Sequence, residues 1–256
     1  MAFPATVQGA PGLEKGHTSG KKHRLGTRME LPDGRVFYYG KSAEAITAGK
    51  LAMAGATSSG HIKDLAIAAA VSAGASQITI TNATTAITGS GKFTGNFGTD
   101  GDYVEGYVFV NDAAGEGQMW QIRDHSTATS SGTLTVDFHD TDTVSTALTT
   151  SSEVGLAKSM YAAIEVWDLS DIDGPVVGVP NRDQTSGYYG WYQTSGPAAV
   201  LTNGTFVVGN QFMTGSSTDG SGDVAADNMS AEILLGTVIN VAATTEYSLV
   251  DLQIRA

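Results

Sequence analysis

Short runs of alternating apolar and polar residues recur along the chain, separated by clusters rich in Gly, Asn, Asp and Ser. Such runs are typical of half-buried β-strands joined by tight turns. A strand about every 10 to 15 residues favours antiparallel sandwiches or barrels over a helical bundle, so the predicted fold class is mainly β. The clearest strand predictions cover residues 77–81, 103–111, 118–123, 133–138, 233–241 and 247–254.

Two turn motifs predict hairpins. Pro32-Asp33-Gly34 separates 24–31 from the β-favouring run 35–39, and Asn203-Gly204 separates 198–201 from 205–208. Both turns contain residues that tolerate the backbone angles of tight turns. The segment 43–54 is compatible with either a short helix or a loop.

The length of 256 residues allows two domains of ordinary size. Residues 168–180 are acidic and contain Pro175 and Pro180, which is typical of a domain junction. The predicted organisation is an N-terminal arm with the start of a hairpin (1–35), a first β domain (36–170) and a second β domain (171–256). Because residues 1–23 have no apolar periodicity, we expect them to be extended or disordered until they meet a partner.

Charge is distributed unevenly along the chain. Residues 1–50 carry eight basic and four acidic side chains, a balance of +4, so the net charge of −12 leaves −16 for residues 51–256. A basic arm on an acidic body can steer that end of the protein toward an acidic partner, although solvated charges on a flexible terminus are an equal alternative. The net negative charge argues against nucleic acid as a partner.

Several other classes are disfavoured. Without cysteine there is no disulfide framework or thiolate metal site. The first residues do not form a secretory signal and no apolar run could span a membrane, so we expect synthesis in a cytoplasm and no membrane partner.

Catalytic motifs are also weak. The five histidines match no zinc-hydrolase spacing, no serine nucleophile elbow occurs, and no cofactor or metal is predicted. Two alternatives stay open: calcium at the aspartates of 137–142 or 219–227, and glycoside hydrolysis by Glu105 and Glu116.

Large aromatic residues concentrate in one predicted strand. Tyr188, Tyr189, Trp191 and Tyr192 place rings on both faces of that strand, so at least one face must pack against something other than water. We expect a subunit contact there, with packing between domains as the alternative. Trp120 and Trp167 are predicted to lie in the core.

Three stretches, in this order along the chain, resemble the capsid decoration (cement) proteins of tailed bacteriophages. They are GTRMELPDGRVFYYG (26–40), GYVFVNDAAGEGQMWQI (106–122) and GYYGWYQTSGPAAVLTNGTFVVG (187–209). The resemblance implies a non-enzymatic, β-rich protein that binds the outer surface of the capsid as a homotrimer and bridges major capsid protein subunits. It also implies a capsid-binding role for basic residues of the leading segment, namely Lys21, Lys22, Arg24, Arg28 and Arg35.

A head-fibre or receptor-binding module that contacts host surface glycans is the main alternative. An aromatic surface around Trp191 is the predicted glycan contact in that case. A virion glycosidase using Glu105 or Glu116 is a third and weaker hypothesis.

Overall fold

A computed structural model describes residues 6–82, 86–87, 102–215, 218–224 and 233–255. These residues form seventeen strands and one short 3-10 helix, Leu13–Lys15, so the prediction of a mainly β fold is confirmed. Within the same residues, no helix is long and apolar enough to cross a bilayer. The strands are β1 Thr6–Gln8, β2 Arg28–Glu30, β3 Val36–Lys41, β4 Ala52–Ala54, β5 Leu65–Ala66, β6 Gln77–Thr81, β7 Tyr107–Asp112, β8 Met119–His125, β9 Thr133–Phe138, β10 Glu153–Ala157, β11 Ile164–Val166, β12 Val176–Pro180, β13 Tyr189–Leu201, β14 Gln211–Thr214, β15 Gly222–Val224, β16 Leu234–Asn240 and β17 Tyr247–Gln253.

The chain divides into two compact units, and the second is inserted in the first. Unit 1 contains Met1–Gly55 and Met160–Ala256, and unit 2 contains Ala56–Ser159. This division differs from the predicted one at about residue 170. The acidic segment 168–180 is not a junction, because β12 pairs with both β4 and β13 inside unit 1.

Unit 1 is built on one large sheet. Its main strand order is β1-β2-β3-β13-β17-β16-β14-β15, and β12 links β13 to the pair β4–β11. The pairs are antiparallel except for β1 with β2. The thirteen-residue strand β13 pairs with β3 along its first half and with β17 along its second half. Consequently β13 carries the sheet from the N-terminal segments to the C-terminal hairpin.

Unit 2 is a smaller sheet of six strands in the order β5-β10-β7-β8-β9-β6. A bridge between Ile67, just after β5, and Ile80 in β6 nearly closes this sheet into a barrel. Alternate residues of β6, β7 and β9 are buried, and Trp120 stacks on Phe138 with ring centroids 4.6 Å apart. The interior is therefore a single apolar core, as expected for a small barrel.

Period-two alternation predicted many strands correctly. The strands at 77–81 and 133–138 are observed with the predicted bounds, and those near 118–123, 233–241 and 247–254 differ by a few residues at their ends. The strand predicted at 103–111 begins later, at Tyr107. Residues 43–51 form a loop, and β4 follows at Ala52–Ala54.

One predicted hairpin is confirmed and the other is wrong. Around Pro32-Asp33-Gly34, β2 pairs with β3, and Gly34 has a positive φ of 84° that the turn requires. The Asn203-Gly204 motif does not join two strands, because residues 205–208 form a loop and β13 ends at Leu201. Thr202 forms its bridge with Gly222 of β15 instead. Tertiary pairing overrides the local turn preference here.

Candidate functional site

The described part of the N-terminal segment folds onto unit 1 and is not an extended arm. Thr18 and Tyr189 exchange two backbone hydrogen bonds of 3.1 and 2.9 Å. The backbone N–H of Lys22 donates to the Tyr39 hydroxyl at 2.9 Å, and the Arg182 guanidinium donates to the Lys15 carbonyl at 3.2 Å. The expectation of an arm without its own contacts is therefore corrected for residues 6–23, and residues 1–5 lie outside the described part of the chain.

The aromatic strand β13 is buried on both faces by unit 1 itself. Tyr189 and Trp191 pack with Met29, Phe37 and Tyr39 beneath the N-terminal segment. On the other face, Tyr192 packs in a separate cluster that includes residues of β4, β11 and β12. Its hydroxyl forms a 2.5 Å hydrogen bond with the Ser42 hydroxyl, and burial raises the pKa of Tyr192. Both faces therefore already have partners within the chain.

This burial corrects the prediction of a subunit interface at the aromatic run. Tyr189, Trp191 and Tyr192 are at most 8% exposed, so a second copy of the chain cannot reach them while the segment is docked. Tyr188 is half-buried and stacks on His17, with ring centroids 4.8 Å apart. The pattern correctly indicated that both faces need partners, but the partner is the N-terminal segment on one face and the β4, β11 and β12 layer on the other.

The five basic residues predicted to bind the capsid do not form one basic patch. Lys21 is buried, Lys22 is exposed, and Arg24 is half-buried. Arg28 forms an ion pair with Glu30 at 2.8 Å, and Arg35 pairs with Asp33 at the same distance. The hydrogen bond from Arg35 lowers the pKa of Asp33. Of these five residues, Lys22 presents the most accessible positive charge to a partner.

An exposed apolar surface lies instead at the end of the β16–β17 hairpin. Leu249 is the register partner of Asn240, and the loop before β14 is held beside β16 by the hydrogen bonds Gly209 N–H to Val238 O and Val238 N–H to Asn210 O, both 2.9 Å. We call this surface the apolar corner; it consists of Val207, Val208, Ile239, Val241, Tyr247 and Leu249. These six side chains are between 38% and 64% exposed.

Sequence reasoning missed the apolar corner, although β17 contains a signal for it. In the run YSLVDLQ, Tyr247 and Leu249 alternate with the buried residues Ser248, Val250 and Leu252. An antiparallel strand that faces water on one side normally has polar residues there. Apolar residues on both faces therefore indicate a second partner surface.

A cleft of about 290 Å³ opens beside Tyr247. The Tyr247 ring lies against Gly49, whose φ is +78° and where an added Cβ would come within 2.5 Å of the ring. Ala198, Ala199 and Val179 supply apolar lining, with Gln193 and Asn181 as the polar members. Among the described residues, the buried Oδ1 of Asn181 has no hydrogen-bond partner. The cleft is thus mainly apolar, and one of its polar lining residues has a buried amide oxygen that is unpaired among the described residues.

Unit 2 contains a buried polar cluster that holds a bend before β7. The His61 Nδ1 and Tyr103 hydroxyl are 2.6 Å apart, and the Tyr103 N–H donates to His125 Nε2 at 3.1 Å. With Nε2 accepting, the Nδ1–H of His125 donates to the Ser126 carbonyl at 2.9 Å, which defines a neutral ring. Burial raises the pKa of Tyr103, and the negative charge of Asp102 adds to this effect. All three rings are at most 3% exposed, so this cluster serves packing.

The two carboxylates considered for glycoside hydrolysis do not meet. Glu105 is buried just before β7, whereas Glu116 is exposed in the turn after β7. The six-residue strand between them spans about 20 Å. That separation is far beyond the roughly 5 to 9.5 Å at which two carboxyl groups act on one glycosidic bond. The hypothesis that this pair forms a glycosidase site is therefore wrong.

Neither metal-ligand geometry within the described residues nor similarity to known proteins adds a further site. Within the described ranges, no group of three or more His, Cys, Asp or Glu side chains is arranged to hold a metal ion. Asp227 lies outside those ranges. The chain matches no family model, no curated protein and no solved structure. The apolar corner and the cleft thus stand as the candidate sites.

Proposed function

We propose that this chain is a virion structural protein that binds the exterior of a phage capsid as a homotrimer and stabilises the shell by bridging major capsid protein subunits. The resemblance of three ordered stretches to capsid decoration proteins supports this class. The observation that carries the proposal is the apolar corner, because several large apolar side chains that stay exposed on neighbouring segments of a folded unit are typical of a protein–protein contact. In this proposal the protein is not an enzyme and needs no cofactor.

The charge pattern around the apolar corner supports contact between copies of the chain. Residues 203–210 and 239–250 contain a single charged side chain, Glu246, although residues 51–256 carry −16 in total. Two acidic bodies can approach through such a surface without bringing like charges together. A trimer then presents three copies of each weak capsid contact, which raises avidity by about 10² to 10⁴ over one contact. Binding only to the assembled lattice stabilises that lattice.

Charge substitution at the apolar corner tests this function. We expect the wild-type protein to sediment as a trimer and to bind phage heads that lack decoration. Val207→Asp with Val208→Asp should yield folded monomers that bind such heads at least tenfold more weakly, because trimer avidity is lost. Ile172→Asp is the matched control, since Ile172 is 51% exposed but lies elsewhere in unit 1. A monomeric wild-type protein, or a double variant that still trimerises and binds heads, would contradict the proposal.

The role of the basic segment is tested at Lys22. Lys22→Glu reverses the charge of an exposed side chain that is not part of the apolar corner. We expect weaker and more salt-sensitive binding to undecorated heads, with trimer formation unchanged. Equal binding by Lys22→Glu and wild type would remove this segment from the capsid contact.

A module that contacts host surface glycans is the second candidate, and the cleft beside Tyr247 favours it. Trp191 is buried and is therefore an unsuitable platform, whereas Tyr247 is 45% exposed next to the Asn181 amide. An aromatic ring can cover the apolar face of a sugar while an amide pairs with its hydroxyls. Glycan-array binding that is lost in Tyr247→Ala and kept in Tyr107→Ala, which changes another exposed tyrosine, would support this function. No binding by wild type would exclude it for the glycans on the array.

A further inference from the structure

Residues 10–23, which we call the cover segment, lie over the aromatic surface formed by Tyr39, Tyr189 and Trp191. The contact depends on few backbone hydrogen bonds, of which the reciprocal pair between Thr18 and Tyr189 is central. The Trp191 Nε1 atom lies close to the backbone of Gly16. The cover segment contains no strand of its own beyond the isolated bridge at Thr18, so its attachment depends strongly on side-chain contacts.

His17 makes one of these contacts as a hydrogen-bond acceptor. Its Nε2 accepts the backbone N–H of Thr185 at 2.9 Å, while the ring stacks on Tyr188. A protonated imidazole has no free lone pair, so charging His17 breaks this hydrogen bond. The charged group that acts on it is the positive guanidinium of Arg182, which donates to the Lys15 carbonyl. A positive charge on His17 therefore adds repulsion to the loss of the bond.

His23 makes the second contact. Its ring meets the edge of Tyr39 with centroids 5.1 Å apart and lies 5.3 Å from the centroid of Trp191. The titratable group that faces it from the sheet is the Tyr39 hydroxyl, and its neighbours along the chain, Lys22 and Arg24, are positive. Desolvation in this aromatic setting favours the neutral ring. Both histidines of the cover segment thus need to be neutral for the best contact.

We propose that protonation releases the cover segment, which detaches from the aromatic surface when His17 and His23 become charged. Burial lowers the pKa of His17, with a further contribution from Arg182, and burial lowers the pKa of His23. The docked state therefore binds fewer protons than the open state, whose histidines titrate near pH 6.5. The free energy of docking therefore has its full value above about pH 6.5 and decreases as the pH falls below that value.

Detachment would expose two binding elements together. The cover segment would carry Lys15, Lys21, Lys22 and two charged histidines against the single carboxylate of Glu14, a net positive composition that fits an acidic protein surface. The sheet would expose Tyr39, Tyr189 and Trp191, an aromatic surface suited to a protein contact. Only this assignment of partners rests on the proposed function, since release itself is a property of the isolated chain.

Hydrogen exchange of the isolated protein tests the release. We expect the amides of Thr18 and Tyr189 to exchange faster at pH 5.5 than at pH 7.5 after correction for intrinsic rates. The increase should be up to about tenfold per pH unit for each histidine that becomes charged. Amides of β17 and of unit 2 serve as internal references, because a change confined to Thr18 and Tyr189 reports local opening and not global unfolding.

Two variants make this test specific. His17→Gln keeps an acceptor for Thr185 but cannot be charged, and His23→Phe keeps an aromatic ring; together they should remove the pH dependence. His139→Gln, which changes a half-buried histidine of unit 2, should leave it unchanged. If the double variant does not fold, His17→Gln alone should reduce the pH dependence. Wild-type protection that is equal at both pH values, or a pH dependence that survives His17→Gln undiminished, would overturn the proposal whatever the outcome of capsid binding.

Discussion

Gly155, in the middle of β10, is required by lack of space and not by backbone conformation. A Cβ built at this position would lie 2.2 Å from the backbone carbonyl oxygen of Ile62 and 2.6 Å from the ring of Phe109. The carbonyl belongs to the backbone and cannot rotate away as a side chain would. This glycine therefore allows two segments of unit 2 to approach each other closely.

We predict that Gly155→Ala lowers the free energy of unfolding by about 1 to 3 kcal/mol, the usual cost of overpacking. Gly20→Ala is the matched control, because a Cβ at Gly20 meets nothing within 4 Å and should change stability by less than about 0.5 kcal/mol. Urea unfolding followed by circular dichroism measures both values. Equal stability of Gly155→Ala and wild type would contradict this prediction, because it would mean that the Ile62 backbone can move away from the added Cβ without cost.

At the residue scale, exposure was the property that sequence reasoning predicted least well. Lys21 reads as a solvated charge in a polar segment, yet it is 3% exposed, since the long aliphatic stem of a lysine can be covered by the fold. Val207 and Val208 read as part of a strand but are largely exposed in a loop. Local composition does not contain the tertiary contacts that decide burial.

At the scale of elements, the alternating pattern located strands well and their partners poorly. β6 and β9 were predicted with the observed bounds because their apolar positions alternate strictly, as a one-sided core requires. The Asn203-Gly204 hairpin failed because residues far along the chain accept the hydrogen bonds of the backbone here. The Thr202 N–H donates to the Glu246 carbonyl before β17, and the Asn203 N–H donates to the Gly222 carbonyl in β15. Pairing of strands distant in sequence is the part of the fold that a local pattern does not determine.

The element β13 shows how this limit affects the candidate site. The sequence pattern predicts a subunit contact for its aromatic residues, with packing between domains as the alternative, or a glycan contact around Trp191. In the structure Trp191 is 5% exposed, and it packs between Tyr39 and His23. The ring therefore belongs to the core of unit 1 in the docked state.

We predict that Trp191→Ala lowers the free energy of unfolding of unit 1 by about 3 to 5 kcal/mol, the cost of truncating a buried Trp. The rate of hydrogen exchange at the Thr18 amide should rise as well, because the aromatic surface beneath the cover segment is lost. Tyr107→Ala, which truncates a ring that is 39% exposed, is the control and should cost much less. Urea unfolding combined with hydrogen exchange provides both readouts. A folded Trp191→Ala protein with wild-type stability would contradict the assignment of this ring to the core.

At the scale of the whole molecule, the insertion of unit 2 into unit 1 explains why the domain boundaries could not be predicted. The predicted boundary lies near residue 170, where the composition changes. The chain instead leaves unit 1 after Gly55 and returns to it at Met160. The two crossing points have ordinary composition. They are defined by the pairing of β4 with β11, whose residues are more than 100 positions apart in sequence.

The same pairing predicts that each unit folds alone. Ala54 is the register partner of Ile164, and the Gly55 N–H donates to the Ala163 carbonyl at 2.6 Å, so the two ends of unit 1 are adjacent where unit 2 is removed. Replacing residues 56–159 by a Gly-Ser linker of about four residues, a common hairpin length, should leave unit 1 folded. In unit 2 the Lys158 N–H donates to Thr57 Oγ1 at 3.2 Å, so its ends are adjacent too.

We expect the two separately purified units to give cooperative unfolding transitions, each with its own apolar core supplying the driving force. Calorimetry and hydrogen exchange measure this, with the full chain as reference. A matched control rejoins the chain at Ala52 and Trp167, so that it lacks residues 53–166 and with them β11 and most of β4. It should not fold, because the β4–β11 pairing is lost and Val176 of β12 loses its register partner Met53. If unit 1 joined by the linker does not fold, the inserted unit is required for the sheet. If it folds, unit 1 contains the cover segment and the apolar corner and is the smallest part of the chain on which the proposed contacts can be measured.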